Sequence, residues 1–219
     1  MSEPTAIESR WSRTARQDRS RVTQELILDA AEELFSEQGI DDTSMHDVAE
    51  RASRSIGSLY HHFDTKDVLV HAVVDRIIAD SEAEIAAFFA PGRWDGRPAL
   101  HIVRAYLRGT LGLDQGRPGY KRIIREASMT DAETQARSIA NRQRVNDGLR
   151  DVLTACSAEI HHPDPAKAIG LVIDTLTAII AARIDRASPT ESAGLSNKAY
   201  VALVLDAVGA ILQLEPETP

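Results

Sequence analysis

Between Leu26 and Lys66 the chain lays out three short helical segments, with only about three residues between the second and the third. Leu26, Ile27, Ala30, Ala31, Leu34 and Phe35 recur at the spacing of one helical face. Gly39 suits the left-handed residue that closes a helix, with apolar Ile40 just beyond it. Ser44-Met-His-Asp47 has the form of a capping box, and Val48, Ala49 and Ala52 follow at inward positions. Ser55 offers another N-cap, and Asp64-Thr-Lys-Asp67 opens a fourth helix that runs to about Phe89. Two helices joined by so short a turn have helix-turn-helix spacing. No stretch sustains the alternation of a strand. The expected fold is therefore all-α: an N-terminal three-helix helix-turn-helix domain, followed by a larger C-terminal helical domain.

The remainder reads as further helices between breakers. APGRWDGRP is a loop, and Pro98 suits the first turn of a helix reaching about Leu113 before DQGRPG interrupts. Helices are expected from Tyr120 to Met129, from Ala132 to Cys156, from the Asp164-Pro165 start to about Arg186, and from Ser196 to Leu214. The expected organisation is a basic, disordered arm over residues 1–20, a helix-turn-helix domain over 21–68, a larger helical domain over 69–214, and a frayed tail over 215–219. The last two helices are apolar on more than one face, with Leu171, Val172, Ile173, Leu176, Ile179 and Ile180 on one of them. Such helices must be buried on two sides. Their own domain covers one side; a second copy of the chain, in a four-helix interface, would cover the other. Gly170, Asp174, Ala178 and Ala181 form a small-residue stripe suited to close helix approach.

Charge narrows the function classes. The formal net charge of -8 argues against a general nucleic-acid binder, but Arg10, Arg13, Arg16, Arg19 and Arg21 stand together, opposed only by Asp18. That run is either a solvated tail or an arm that tracks phosphates, through Arg16 and Arg19 in particular. The lone Cys156 falls on an apolar helical face as a buried thiol. No basic-then-apolar leader opens the sequence and no uninterrupted apolar run of ~18 residues occurs, so the expected location is cytoplasmic with no membrane partner.

The stretch SRSIGSLYHHFDTK holds adjacent histidines, a tyrosine and a lysine. On a helical wheel Ile56, Leu59 and Phe63 fall on one side, Gly57, Ser58 and His61 opposite, and Tyr60 and His62 on the flanks. The two histidines point ~100° apart, so they cannot share a metal ion as an i, i+4 pair would. No nucleophile or carboxylate is placed to orient an imidazole, so neither a metal site nor a catalytic site is expected. What remains is either a solvated surface turn or the second helix of a helix-turn-helix entering a major groove. On the second reading Gly57, Ser58 and His61 face base edges. Tyr60, His62 and Lys66 bond phosphates there, with Ser55 at the cap and the amides and hydroxyls of Thr43 and Ser44 beside them.

The segment TQELILDAAEELFSEQGIDDTSMHDVAERASRSIGSLYHHFDTKDVL resembles the DNA-binding domain of the tetracycline repressor (TetR) family along its length. The Ala-Ala-Glu-x-Leu-Phe-x-x-x-Gly helix end, the Thr-Ser start and Gly-Ser-Leu-Tyr-x-His-Phe-x-x-Lys match that family in order and spacing. The resemblance covers about residues 20–70 and implies a homodimeric regulator of double-stranded operator DNA, with 21–68 the DNA-binding domain and 69–214 a ligand-binding and dimerisation domain that pairs through its last two helices. The sequence departs from the family in the turn, where Ser53 and Arg54 stand in place of Gly-Val. Ser53 can take the turn at some cost relative to Gly. Arg54 must snorkel outward, toward DNA.

Candidate ligand-lining residues are Tyr106, Tyr120, Met129, Asp174 and Thr177; each has a structural alternative as core filling or as a polar group bonded across the dimer. The expected function is a repressor released from a palindromic operator by a small, mainly apolar effector, with no cofactor. In that scheme a ligand in the larger domain changes the tilt of the helix that carries Lys66. The alternatives are a ligand-independent activator or nucleoid-associated protein and, more distantly, a helical enzyme.

Overall fold

The computed structural model describes residues 6–111, 119–184 and 191–215. Its elements are α1 (Ala6–Gln38), α2 (Met45–Arg51), α3 (Ile56–His62), α4 (Lys66–Phe88), α5 (Ala99–Thr110), α6 (Tyr120–Thr130), α7 (Ala132–Ala155), α8 (Pro165–Ile184) and α9 (Asn197–Leu212), with short 3-10 turns at Ser157–Glu159 and Glu191–Gly194. No strand occurs among the described residues, and the fold is all-α with an N-terminal helix-turn-helix.

Two differences from the sequence expectation bear on function. The first helix does not begin after a disordered arm: α1 is continuous from Ala6, through the basic run, to Gln38. Residues 6–38 contain neither Gly nor Pro and are rich in Arg, Glu, Gln and Ala, so intrinsic propensity sustains the helix through the basic run that precedes the apolar face beginning at Leu26. The second difference is the division of the chain. One unit comprises Met1–Ala79 together with Gly119–Gln135; the other comprises Asp80–Pro118 and Ala136–Pro219. The first unit thus recruits α6 from the middle of the sequence.

The core of the first unit explains that recruitment. Ile27, Ala31, Leu34 and Phe35 of α1 meet Val48, Leu59, Phe63, Leu69, Val73 and Ile77, and Ile123 and Ala127 of α6 are buried in the same cluster. Polar bonds fasten α6 to the end of α1. Glu126 Oε2 accepts from the Ile40 amide at 3.0 Å, Arg122 Nε donates to Glu126 Oε1 at 2.6 Å, and Arg122 Nη2 donates to the Gln38 carbonyl at 3.3 Å. Gly119, in the left-handed region at φ 106, caps the helix against α1, where a Cβ would overlap the Ser36 side chain. Arg76 of α4 also grips α1, through Asp29 and Glu32, both at 2.7 Å.

Glu126 is an ionised group whose partners matter. Burial pushes its carboxyl upward, but the Ile40 amide and the Arg122 guanidinium outweigh that and leave it below the ordinary glutamate value. A depressed carboxylate contributes stability above its unfolded pKa, about 4.3, and loses it as pH falls through the lower folded value. Glu126→Gln is therefore expected to destabilise the first unit by about 1–2 kcal/mol at neutral pH. The gap between variant and parent should close in the acid range, as read by chemical denaturation at a series of pH values. An unchanged gap at low pH would remove the charge from the account.

The second unit is built around Ile102, Val103 and Leu107 of α5, Leu149 and Leu153 of α7, Val172, Ile173 and Leu176 of α8, and Val204, Val208 and Leu212 of α9. Cys156 belongs to this core, and burial raises its thiol pKa. Pro98 is the N-cap of α5 rather than a residue of its first turn, with φ -61 and ψ 146. By length and composition Pro165–Arg183 could cross a membrane; here Ala168, Val172, Ile173, Leu176 and Ile180 pack into the core. The opposite face of α8 leaves Leu171, Asp174, Ala178 and Ala181 exposed, and α9 leaves Ala202, Leu203, Ala207 and Ala210 exposed.

Candidate nucleic-acid interface

Local capping sets the start of each short helix. Ser44 is the N-cap of α2 in extended conformation; its hydroxyl accepts from the Asp47 amide at 3.1 Å and the Asp47 carboxylate accepts from the Ser44 amide at 2.9 Å. The Ser44 hydroxyl, then its amide, hold the Asp47 carboxyl below its usual range. Ser55 caps α3 and accepts from the Ser58 amide at 3.1 Å. Between the two helices Ser53 takes the left-handed conformation at φ 53, the strained position expected where the resemblance calls for glycine.

Alpha-helix α3 is seated by Leu59, which is fully buried, and by Phe63 at its C-terminal cap. Gly57, Tyr60 and His61 are exposed, while Ser58 and His62 are half-buried. An ideal Cβ on Gly57 would meet nothing within 4 Å, so a partner can approach the backbone there. Burial first, and the His61 charge second, hold the His62 imidazole below its ordinary pKa. The structure thus brings Ser55, Gly57, Ser58, Tyr60, His61 and His62 onto one short helix. Lys66 stands at the start of α4, its ammonium donating to the Asp41 carbonyl at 3.0 Å. Three donors on an ammonium leave it able to bond a phosphate as well.

Three expectations need correction. Thr43 is buried at 2% exposure; its hydroxyl donates to the Gly39 carbonyl at 2.7 Å and accepts from the Gln38 amide side chain at 3.2 Å. It closes the turn after α1 and offers no free hydroxyl to a phosphate, and the Ser44 amide is spent on its own capping box. Arg54 does not extend outward: its guanidinium folds back onto the Ser53 carbonyl at 3.0 Å. Ile56, placed by the wheel with Leu59 and Phe63, is 40% exposed. Arg19 lies exposed on α1, which also carries Arg16, whose side chain falls outside the described residues.

The proposed ligand residues are divided between the two units. Tyr120 and Met129 stand on α6 in the first unit, Tyr120 half-buried and Met129 81% exposed. In the second unit Tyr106 packs beside Phe88, ring centroids 6.1 Å apart, and burial raises its phenol pKa against a hydrogen bond with Thr110. The Thr177 hydroxyl donates to the Ile173 carbonyl of its own helix at 2.9 Å. Asp174 is exposed beside Leu171 and Ala178 rather than turned into the core. No group of His, Cys, Asp and Glu suited to a metal ion occurs among the described residues. The sequence reading missed Arg122 and Glu126, whose partners lie 84 and 86 residues away.

Two capped short helices, the second presenting a polar, glycine-opened face, define a helix-turn-helix protein. Residues 27–73 match the family described as bacterial regulatory proteins, tetR family. It is 39% identical over 110 residues to the HTH-type transcriptional regulator UidR of Escherichia coli K12, a match covering 50% of this chain and 52% of that protein. The chain thus spans about half the length of the curated relatives it matches. Solved structures share the fold over most of the chain. SmeT, the repressor of the Stenotrophomonas maltophilia multidrug efflux pump SmeDEF, aligns with TM-score 0.58 at 23% identity, covering 89% of this chain and 91% of that one. AibR in complex with isovaleryl coenzyme A and operator DNA aligns with TM-score 0.61 at 19% identity, covering 88% of this chain and 100% of that one.

Proposed function

We propose that this chain is a sequence-specific transcriptional regulator, a homodimeric repressor released from a palindromic operator by a small molecule. The observation that carries the reading is the exposed face of α3, where Gly57, Tyr60 and His61 surround a backbone open to close approach. In this reading α3 enters the major groove, and the two copies read half-sites about 34–36 Å apart. His61 and Ser58 meet base edges; Tyr60, His62 and Lys66 meet phosphates. Arg16 and Arg19 of α1 add sequence-independent attraction. Relatives support the reading: UidR is a transcriptional regulator and AibR was solved on operator DNA.

The dimer forms through the exposed faces of α8 and α9, where Ala178, Ala181, Ala202, Ala207 and Ala210 allow two copies to pack closely. The effector is a mainly apolar molecule with a polar group, bound in the second unit near Tyr106 and Thr177. Because DNA and effector favour different states, each weakens the other by the same factor, with a coupling of about 1–3 kcal/mol. SmeT with triclosan and AibR with isovaleryl coenzyme A supply precedents for such ligands.

A footprint upstream of the protein's own coding region, repeated with candidate effectors, tests the whole scheme. Protection of no site would sink the DNA reading, and protection insensitive to every compound that binds would sink the release mechanism. Lys66→Ala is expected to weaken specific and random duplexes alike and to lower the salt slope of binding by about one. A loss confined to the specific site would move Lys66 from phosphate contact to base readout.

A further inference from the structure

Ile56 is the first residue of α3, and it is 40% exposed although it is apolar and Leu59 beside it is fully buried. At about 100° per residue, Ile56, Tyr60, Gly57 and His61 follow one another around an arc of roughly 140°, and all four are exposed. Leu59 falls about 60° to the other side of Ile56 and anchors the helix inward, with Phe63 buried at the cap. Ile56 therefore belongs to the outward face of α3, at the end that would lie deepest in a groove. Nothing crowds Gly57 beside it. The neighbouring Ser55 hydroxyl is already engaged by the Ser58 amide, so the polar groups at this end serve the cap.

We propose that Ile56 reads thymine, by seating its branched side chain against the 5-methyl group in the major groove. This rests on the DNA-binding reading above. Among the base edges exposed in that groove, thymine alone carries a methyl group. Cytosine, the other pyrimidine, would instead press its amino donor against a hydrocarbon with no acceptor, which costs binding. Ile56 thus selects by attraction to one base and by leaving the other unpaired, and it adds an apolar reader to a face otherwise furnished with Ser58 and His61.

The test uses the full-length protein and duplexes with a randomised central region of about 20–30 base pairs, from which tight binders are selected. Each thymine of the enriched site is then replaced in turn by deoxyuridine, which removes only the methyl. One symmetric position should lose about fourfold in affinity, the worth of a methyl-sized apolar contact. With Ile56→Ala the thymine and deoxyuridine sites should bind equally, while Ile56→Val keeps part of the difference. Both variants should unfold at the parent's midpoint, since the side chain lies outside the core. A parent indifferent to every deoxyuridine, a selected site with no symmetric thymine, or an Ile56→Ala protein that still discriminates would each overturn the assignment. Failure to enrich any sequence would instead overturn the DNA-binding reading, and this inference with it.

Discussion

Gly119→Val should destabilise the first unit by about 3 kcal/mol, from two separable sources. The residue sits at φ 106, where a β-branched side chain is strained by about 1–3 kcal/mol. Its Cβ would also overlap Ser36 of α1, and overpacking of this kind costs about 1–3 kcal/mol more. Gly96 supplies the control, since its φ is 66 and nothing lies within 4 Å of its ideal Cβ. Gly96→Val therefore reports strain alone. The excess loss in Gly119→Val measures how tightly the start of α6 is held against α1. Urea unfolding followed by circular dichroism gives both numbers. If the two variants lose the same stability, α6 is not seated on Ser36 as described.

Ala178→Glu should convert the protein to monomers and lower operator affinity by about 100-fold or more, the advantage that two linked half-site contacts hold over one. Ala178 is exposed in the single chain, with Leu171 and Asp174 on the same face of α8. A glutamate there leaves the subunit fold undisturbed yet places an unpaired carboxylate in the proposed seam, at a cost of about 3–5 kcal/mol. Val208 of α9, by contrast, is fully buried in the second core. A charge at Val208 would unfold the subunit, so it cannot report on assembly. Sedimentation of parent and variant at micromolar concentration decides the matter. A monomeric parent, or a variant that stays dimeric, would remove α8 from the interface.

Legibility in the sequence followed the range of the interactions. The caps at Ser44–Asp47 and Ser55 were readable because each is completed within three residues, and the left-handed Ser53 followed from the missing glycine. Ile56 was misplaced because a wheel assumes a face buried along its length, whereas a seven-residue helix is held by Leu59 and Phe63 near its middle and end. Thr43 was misread because its hydroxyl turns back to the carbonyl four residues before it, a local competition that residue type alone does not reveal. Asp174 drew attention as a polar residue in an apolar helix; exposure on the uncovered face removes the need for a buried partner. The docking of α6 left no local trace, because the side chains that hold it are met only after the chain has passed through α4 and α5.

The placement of α6 also bears on how chains of this fold can be recombined. A chimera that exchanges operator preference by splicing at the end of the helix-turn-helix carries over α1 to α4 but leaves the recipient's own α6 behind. Ile123 and Ala127 would then face a foreign α1, and Arg122 and Glu126 would seek Gln38 and Ile40 in a sequence never fitted to them. A graft from this protein needs a second insert, Gly119–Gln135, taken from the same parent. The unit that is inherited together here is discontinuous, and a search for compatible pairs of parents is better guided by the α1–α6 seam than by similarity along the first eighty residues.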